Sequence, residues 1–120
     1  MINKIKQKRV LVTGGAGFIG SHLVDSLLEQ GNDVIVLDNF TTGRSQNLDH
    51  VLDQIQLVEC DISQSGNWQQ IFDGVNQVFH LAALADIVPS IEKPSDYYRA
   101  NVNGTFNILE ACKKQGLKKI

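Results

Sequence analysis

Val10-Leu11-Val12-Thr13-Gly14-Gly15-Ala16-Gly17-Phe18-Ile19-Gly20 decides how the rest of this chain is read. The stretch opens as a short apolar run, passes through a glycine-dense turn and enters a helical pattern. Gly14, Gly17 and Gly20 stand in a G-x-x-G-x-x-G spacing. Glycines so placed permit a tight turn, let backbone approach a pyrophosphate, and let a helix pack close to its strand. The helix that follows aims unpaired N–H groups and the positive end of its dipole at the turn. A glycine fingerprint alone is weak evidence, and its flanks decide.

On the far side, Ile19, Leu23 and Leu27 recur every four residues, joined by Val24 and Leu28, with Asp25 and Glu29 off the stripe. Gly31 stands where a helix stop belongs. Asp33 to Leu37 is a second buried strand, and it ends on Asp38. Strand, helix and strand within about 30 residues make a βαβ unit. A carboxylate at that strand tip, eighteen positions beyond Gly20, can accept hydrogen bonds from the ribose hydroxyls of a dinucleotide. It also repels a 2′-phosphate, so NAD is expected over NADP, with Arg44 lying several loop residues further on.

The remaining chain repeats the alternation. Thr41 to Ser45 reads as loop, Asn47 to Leu52 as a short helix, and Ile55 to Glu59 as a third strand closed by Cys60-Asp61. Asn67 to Phe72 suggests another short helix, with Trp68 and Phe72 on one side and Gly74 ending it. Gln77 to Leu81 is the fourth strand. Ile87 to Lys93 reads as a loop punctuated by Pro89 and Pro94. The longest helix then runs from Pro94 or Ser95 to about Gln115, with Val102, Phe106, Leu109 and Cys112 as its apolar face, Ile108 beside them, and Gly116 as its stop. Leu117 to Ile120 resembles the opening of a fifth strand. This pattern predicts an α/β fold: a doubly wound parallel sheet of order 3-2-1-4, cut at the start of strand five.

Composition narrows the class. A chain of 120 residues, 42% hydrophobic and 20% charged, suits one globular unit. A net charge of −2 gives no electrostatic reason to expect nucleic acid or an anionic membrane. Lys4 to Arg9 reads as a solvated lead-in and not as a signal peptide, and no apolar run has the length of a membrane span. Cys60 and Cys112 are far apart, without a C-x-x-C, and read as small buried hydrophobes in a reducing compartment, by default the cytoplasm. No metal site is expected.

Further candidates gather at the carboxyl ends of the strands, where ligands bind in open α/β sheets. Asp61 is placed to meet an adenine amino group and Ile62 to pack on the ring, while Leu81-Ala82-Ala83 leaves backbone space for a cofactor. His22 and His80 read as structural and His50 as a surface residue, since sequence places no partner nucleophile or carboxylate beside them.

Thr13-Gly14-Gly15-Ala16-Gly17-Phe18-Ile19-Gly20-Ser21-His22-Leu23, Asp38-Asn39-Phe40, Asp61-Ile62, His80-Leu81-Ala82-Ala83 and Asn101-Val102-Asn103-Gly104-Thr105 together resemble the extended short-chain dehydrogenase/reductase family. The nearest resemblance is to its NAD-dependent nucleotide-sugar epimerases and dehydratases, of the UDP-glucose 4-epimerase kind. It implies a Rossmann-type fold binding NAD. Phe18 and Ile19 would lie near the pyrophosphate, Asp38, Asn39 and Phe40 around the adenosine, Asp61 and Ile62 beside adenine, and Leu81, Ala82 and Ala83 along the cofactor path. Asn101 would sit near the nicotinamide end, or else serve as a polar helix residue bonding backbone. The implied chemistry is transient oxidation of a sugar hydroxyl, with a tyrosine taking the proton, a lysine lowering its pKa and a Ser or Thr sharing its hydrogen bond.

Here the sequence departs from the family. Tyr97 is followed four positions later by Asn101 and Tyr98 by Val102, so neither begins a Tyr-x-x-x-Lys pair. Residues 1–120 are therefore expected to be a partial NAD-binding Rossmann domain with no catalytic residue of its own. The catalytic Ser/Thr, the Tyr-x-x-x-Lys and the substrate-binding part are expected beyond Ile120. The parent enzyme is read as a nucleotide-sugar 4-epimerase, with a 4,6-dehydratase, a decarboxylase or a non-catalytic dinucleotide-binding, redox-sensing module as alternatives. The resemblance also implies a homodimer through the helix holding Tyr97 to Lys114.

Overall fold

The computed structural model describes residues 8–84 and 87–117. Four strands, β1 (Arg9–Thr13), β2 (Asp33–Asp38), β3 (Ile55–Glu59) and β4 (Gln77–His80), form one parallel sheet in the order β3-β2-β1-β4. Leu11 pairs with Ile35 on one side and Val78 on the other, which sets β1 at the centre of the sheet. This is the doubly wound, Rossmann-type arrangement expected from the alternation of strands and helices.

Successive side chains along β1 and β2 point to opposite faces, and both faces are apolar. Val10, Val12, Val34 and Val36 meet Val24 and Leu27 of helix α1 (Phe18–Glu29), together with Leu48 and Val51 of a 3₁₀ helix at Ser45–Gln54. Leu11, Ile35, Leu37 and Val78 meet Phe72, Ile108, Ala111 and Cys112 on the other face. Phe72 belongs to a second 3₁₀ helix, Asn67–Phe72, where its ring tilts against Trp68 at 6.0 Å as their spacing predicts.

Helices α2 (Ile87–Glu92), α3 (Pro94–Tyr98) and α4 (Gly104–Lys114) follow, with a π-helical turn at Arg99–Asn103 joining α3 to α4. The glycine stops act as the sequence indicates. At the end of α1, Gly31 N–H bonds to Leu28 O and Asn32 N–H to Leu27 O, while at the end of α4, Gly116 N–H bonds to Lys113 O and Leu117 N–H to Cys112 O. Both are Schellman closures around a left-handed glycine, φ 84° at Gly31 and 69° at Gly116.

Three expectations are corrected. Ile87 to Lys93 is not simply a loop, because Ile87–Glu92 is helical. Pro89 lies in its first turn, where no N–H is needed, so the residue starts a helix there instead of breaking one. In the long helix, Cys112 and Ile108 are buried as expected, but the rest of the inward face is Gly104 and Ala111, while Val102, Phe106 and Leu109 face outward. Ile19 leaves the buried stripe of α1, whose inward residues are Gly20, Ser21, Val24 and Leu27. Most of the lead-in from Lys4, and all but the first residue of the fifth strand expected to open at Leu117, lie outside the described residues. Among the described residues, no helix is long and apolar enough to cross a membrane, and no His, Cys, Asp and Glu cluster has metal-site geometry.

Candidate functional site

The carboxyl ends of all four strands open into one groove. Its floor is the turn after β1. Gly14 holds φ 72°, and a Cβ on it would sit 2.9 Å from Ala82 N, so a side chain there would be both strained and in collision with the β4 tip. Gly20 packs beneath the turn, where a Cβ would run into the Gly14 carbonyl oxygen. Gly17 is the N-cap of α1, with no side chain to satisfy the helix's first N–H groups. A Cβ on Gly17 would approach only the Gly14 carbonyl, at 3.3 Å, so the helix end stays open to an anion.

The β2 tip supplies a fixed carboxylate. Asp38 is only 8% exposed, its Oδ2 accepts the Ala16 N–H at 2.9 Å and its Oδ1 accepts the Phe40 N–H at 2.7 Å. A carboxylate offers about four acceptor positions, so each oxygen retains capacity for a ligand hydroxyl. The loop that follows folds back on the glycine turn, with Arg44 N–H and Asn47 Nδ2 both donating to Ala16 O. Gly43 makes that approach possible, since a Cβ there would lie 2.9 Å from Ala16 C and 3.0 Å from Asp38 Oδ2.

The β3 tip carries Cys60, Asp61 and Ile62. Asp61 Oδ1 accepts Ser63 N–H at 2.9 Å and Ser63 Oγ–H at 2.6 Å, closing a tight turn on the groove wall. Cys60 has its thiol pushed up to about 11, first by burial and then by the charges of Asp61 and Asp38. It is a protonated, inert wall residue at neutral pH. The other cysteine, Cys112, is also free and is raised by burial.

At the β4 tip, Thr13 Oγ1 accepts the N–H groups of Leu81 at 3.0 Å and Ala82 at 3.1 Å. Its own hydroxyl proton is then directed to His80 Nδ1, 2.7 Å away, which leaves Nε2–H to donate to Thr105 Oγ1 at 2.8 Å. His80 is thus a neutral brace between β1, β4 and α4, and burial holds its pKa below the usual histidine value. His22 Nδ1–H donates to Phe18 O, and His50 pairs with Asp25 on the surface.

Of the sequence candidates, Gly14, Gly17, Asp38, Asn39, Asp61, Ile62, Leu81, Ala82 and Ala83 line this groove. Phe18 and Ile19, 78% and 71% exposed, stand in the first turn of α1. Phe40 turns away to pack on the α1-side core, in the left-handed region at φ 59°. Asn101 bonds backbone: its Oδ1 accepts Leu84 N–H at 2.8 Å and its Nδ2 donates to Leu84 O at 2.9 Å. Leu37, Thr41, Thr42, Gly43, Cys60, Leu84 and Ala100 also line the groove. Sequence reasoning passed over them because Thr41-Thr42-Gly43 carries only a loop signal and the others carry none.

The sequence model of the NAD dependent epimerase/dehydratase family matches residues 10–120. The chain belongs to that family. Within it, the chain is 42% identical over 115 residues to UDP-glucuronic acid decarboxylase 1 of Arabidopsis thaliana, covering 94% of this chain and 25% of that one. The structure of Thermotoga maritima UDP-glucose 4-epimerase with UDP-glucose superposes with a TM-score of 0.85 at 40% identity, over 92% of this chain and 35% of that one. A Streptomyces venezuelae dTDP-glucose 4,6-dehydratase solved with NAD bound gives 0.84 at 37%, over 91% and 37%. The chain therefore spans about a quarter to somewhat over a third of the length of these members of the family.

Proposed function

We propose that this chain is the NAD-binding portion of a nucleotide-sugar 4-epimerase that acts by transient oxidation of a sugar hydroxyl. The observation that carries the reading is the union of an uncapped helix end at Gly17 with a clamped carboxylate at Asp38 on one groove rim. The residues fit the cofactor. The open face of Gly17 suits a pyrophosphate, Asp38 suits ribose hydroxyls, and the space left by Leu81, Ala82 and Ala83 suits passage toward a nicotinamide. When bound, NAD supplies the hydride acceptor and donor. The chain's own residues bind and orient it: Asp38 and Asp61 as acceptors, Gly14 and Gly17 as backbone cradle, and Asn101 as the tie that holds the Leu84 backbone.

Asp38 also disfavours a 2′-phosphate, so NADP is expected to bind far more weakly. Titration calorimetry with NAD and NADP tests this. A binding ligand at 100 times its Kd raises stability by about 2.7 kcal/mol, and a melting temperature indifferent to NAD would sink the reading. Because neither tyrosine in the 120 residues begins a Tyr-x-x-x-Lys, the chain alone is inactive, and sugar interconversion by it would overturn that point. A decarboxylase or 4,6-dehydratase parent is the second reading, supported by the 42% identity to the plant decarboxylase. Val102, Phe106 and Leu109, facing outward on the long helix, support a homodimer through that helix, which sedimentation analysis checks. Two free cysteines support a cytoplasmic location.

A further inference from the structure

The turn at Asp61-Ile62 is held from an unexpected direction. β3 ends at Glu59, so the carbonyl of Ile62, whose side chain is nearly buried, has no place in the strand ladder and needs another partner. Asn107 of α4 provides it, with Nδ2 donating to Ile62 O at 2.8 Å across 45 positions of sequence. Asn107 is itself fixed, because its carbonyl accepts Gln69 Nε2 at 3.1 Å. One turn earlier on the same face, Gly104 leaves room for the Ile62 side chain: a Cβ there would lie 3.1 and 3.2 Å from Ile62 Cγ1 and Cδ1. On the other side of Ile62, Ser63 takes up Asp61 Oδ1 with both its N–H and its hydroxyl. Asp61 lines the groove, and its other oxygen, Oδ2, has no partner among the described residues.

We propose that Asn107, together with Ser63, is a positioning residue that sets the Asp61-Ile62 turn to discriminate the amino edge of adenine. This rests on the NAD reading above. Asn107 fixes where the turn stands, and Ser63 fixes which carboxylate oxygen is offered. A purine with an amino donor at C6 then gains a charge-assisted hydrogen bond, and one with a carbonyl there meets a repelling oxygen. Neither residue needs to touch the cofactor.

The probes are NAD and nicotinamide hypoxanthine dinucleotide, which differ at that purine edge. Affinities are measured by calorimetry on the chain and on Asn107→Asp and Ser63→Ala, each with a thermal melt. Asn107→Asp keeps the shape and removes the donor, and Ser63→Ala leaves the core untouched. The unaltered chain is expected to prefer NAD by roughly tenfold, the worth of one charge-assisted bond. Each variant should reduce that preference to about threefold or less while still melting cooperatively. A preference retained in full by Asn107→Asp, with both affinities lowered equally, overturns the proposal and makes the residue merely structural. Should that variant fail to fold, the ratio measured on Ser63→Ala decides in the same way. An unaltered chain that binds both dinucleotides equally overturns the proposal while sparing the NAD reading. One that binds neither overturns the NAD reading itself.

Discussion

Asp38 and Asp61 occupy the tips of adjacent strands, face the same groove and are built in opposite ways. Asp38 is buried, and both its oxygens are gripped by backbone N–H groups, one from the glycine turn and one from Phe40 just past β2. Asp61 is exposed and uses one oxygen on its own neighbour, while the turn that carries it is moored to a helix much later in the chain. The first is an acceptor that the fold itself requires. The second is an acceptor the fold tolerates, on the wall of the groove. Stability and binding should therefore be coupled at Asp38 and separable at Asp61.

Asp38→Asn puts that difference under the greatest strain. An amide cannot accept at both positions, so a buried donor is left unpaired at a cost of about 1–3 kcal/mol, and NAD affinity should fall roughly a hundredfold with two charge-assisted bonds gone. A variant that melts like the parent would break the comparison. Asp61→Ala should cost NAD about tenfold yet move the stability measured in urea by no more than about 0.5 kcal/mol.

A finer probe lies between the two carboxylates. With its thiol near 11, Cys60 should be alkylated by iodoacetamide at pH 8 roughly a hundredfold more slowly than an ordinary thiol. Burial is the first cause and Asp61 the second, so Asp61→Ala should quicken the reaction by only about a few-fold, read by mass spectrometry of the Cys60 peptide. An unchanged rate would remove Asp61 from the electrostatics of that wall.

The smallest effect belongs to the third tip. The folded chain resists protonating His80, whose pKa burial lowers, while the unfolded chain takes the proton near the ordinary value of 6.5. Stability is thus undiminished above about 6.5 and falls as pH drops below it, because the unfolded state binds more protons there. Melts at pH 7.5 and 5.5 should show that decline, and His80→Gln should flatten it.

Much of this was legible in the sequence for a physical reason. The β1–α1–β2 unit is written in local signals: apolar runs, glycines at a turn and a helix stop, and an aspartate at a strand tip. Its hydrogen bonds, from Ala16 to Asp38 and from Asn32 to Leu27, close over short spans. The long helix was harder. Val102, Phe106 and Leu109 form one 3.6-residue stripe, and Gly104, Ile108 and Ala111 form another on the opposite side. Periodicity does not choose between them, and the larger side chains misled, whereas the sheet accepts the smaller ones. Phe40 packs on the α1-side core through a left-handed backbone that no residue type announces. Asn107 carried no signal at all, since its partner lies 45 positions away.

The strand order β3-β2-β1-β4 has a consequence for how the protein comes into being. Both groups that clamp Asp38 lie before residue 41, whereas the mooring of the Asp61 turn waits for Asn107, 67 residues after Phe40 (107 − 40). At a synthesis rate of roughly 5–20 residues per second, about 3–13 seconds separate the two. During that interval the nascent chain already carries both groups that hold Asp38, and the turn bearing Asp61 is not yet anchored.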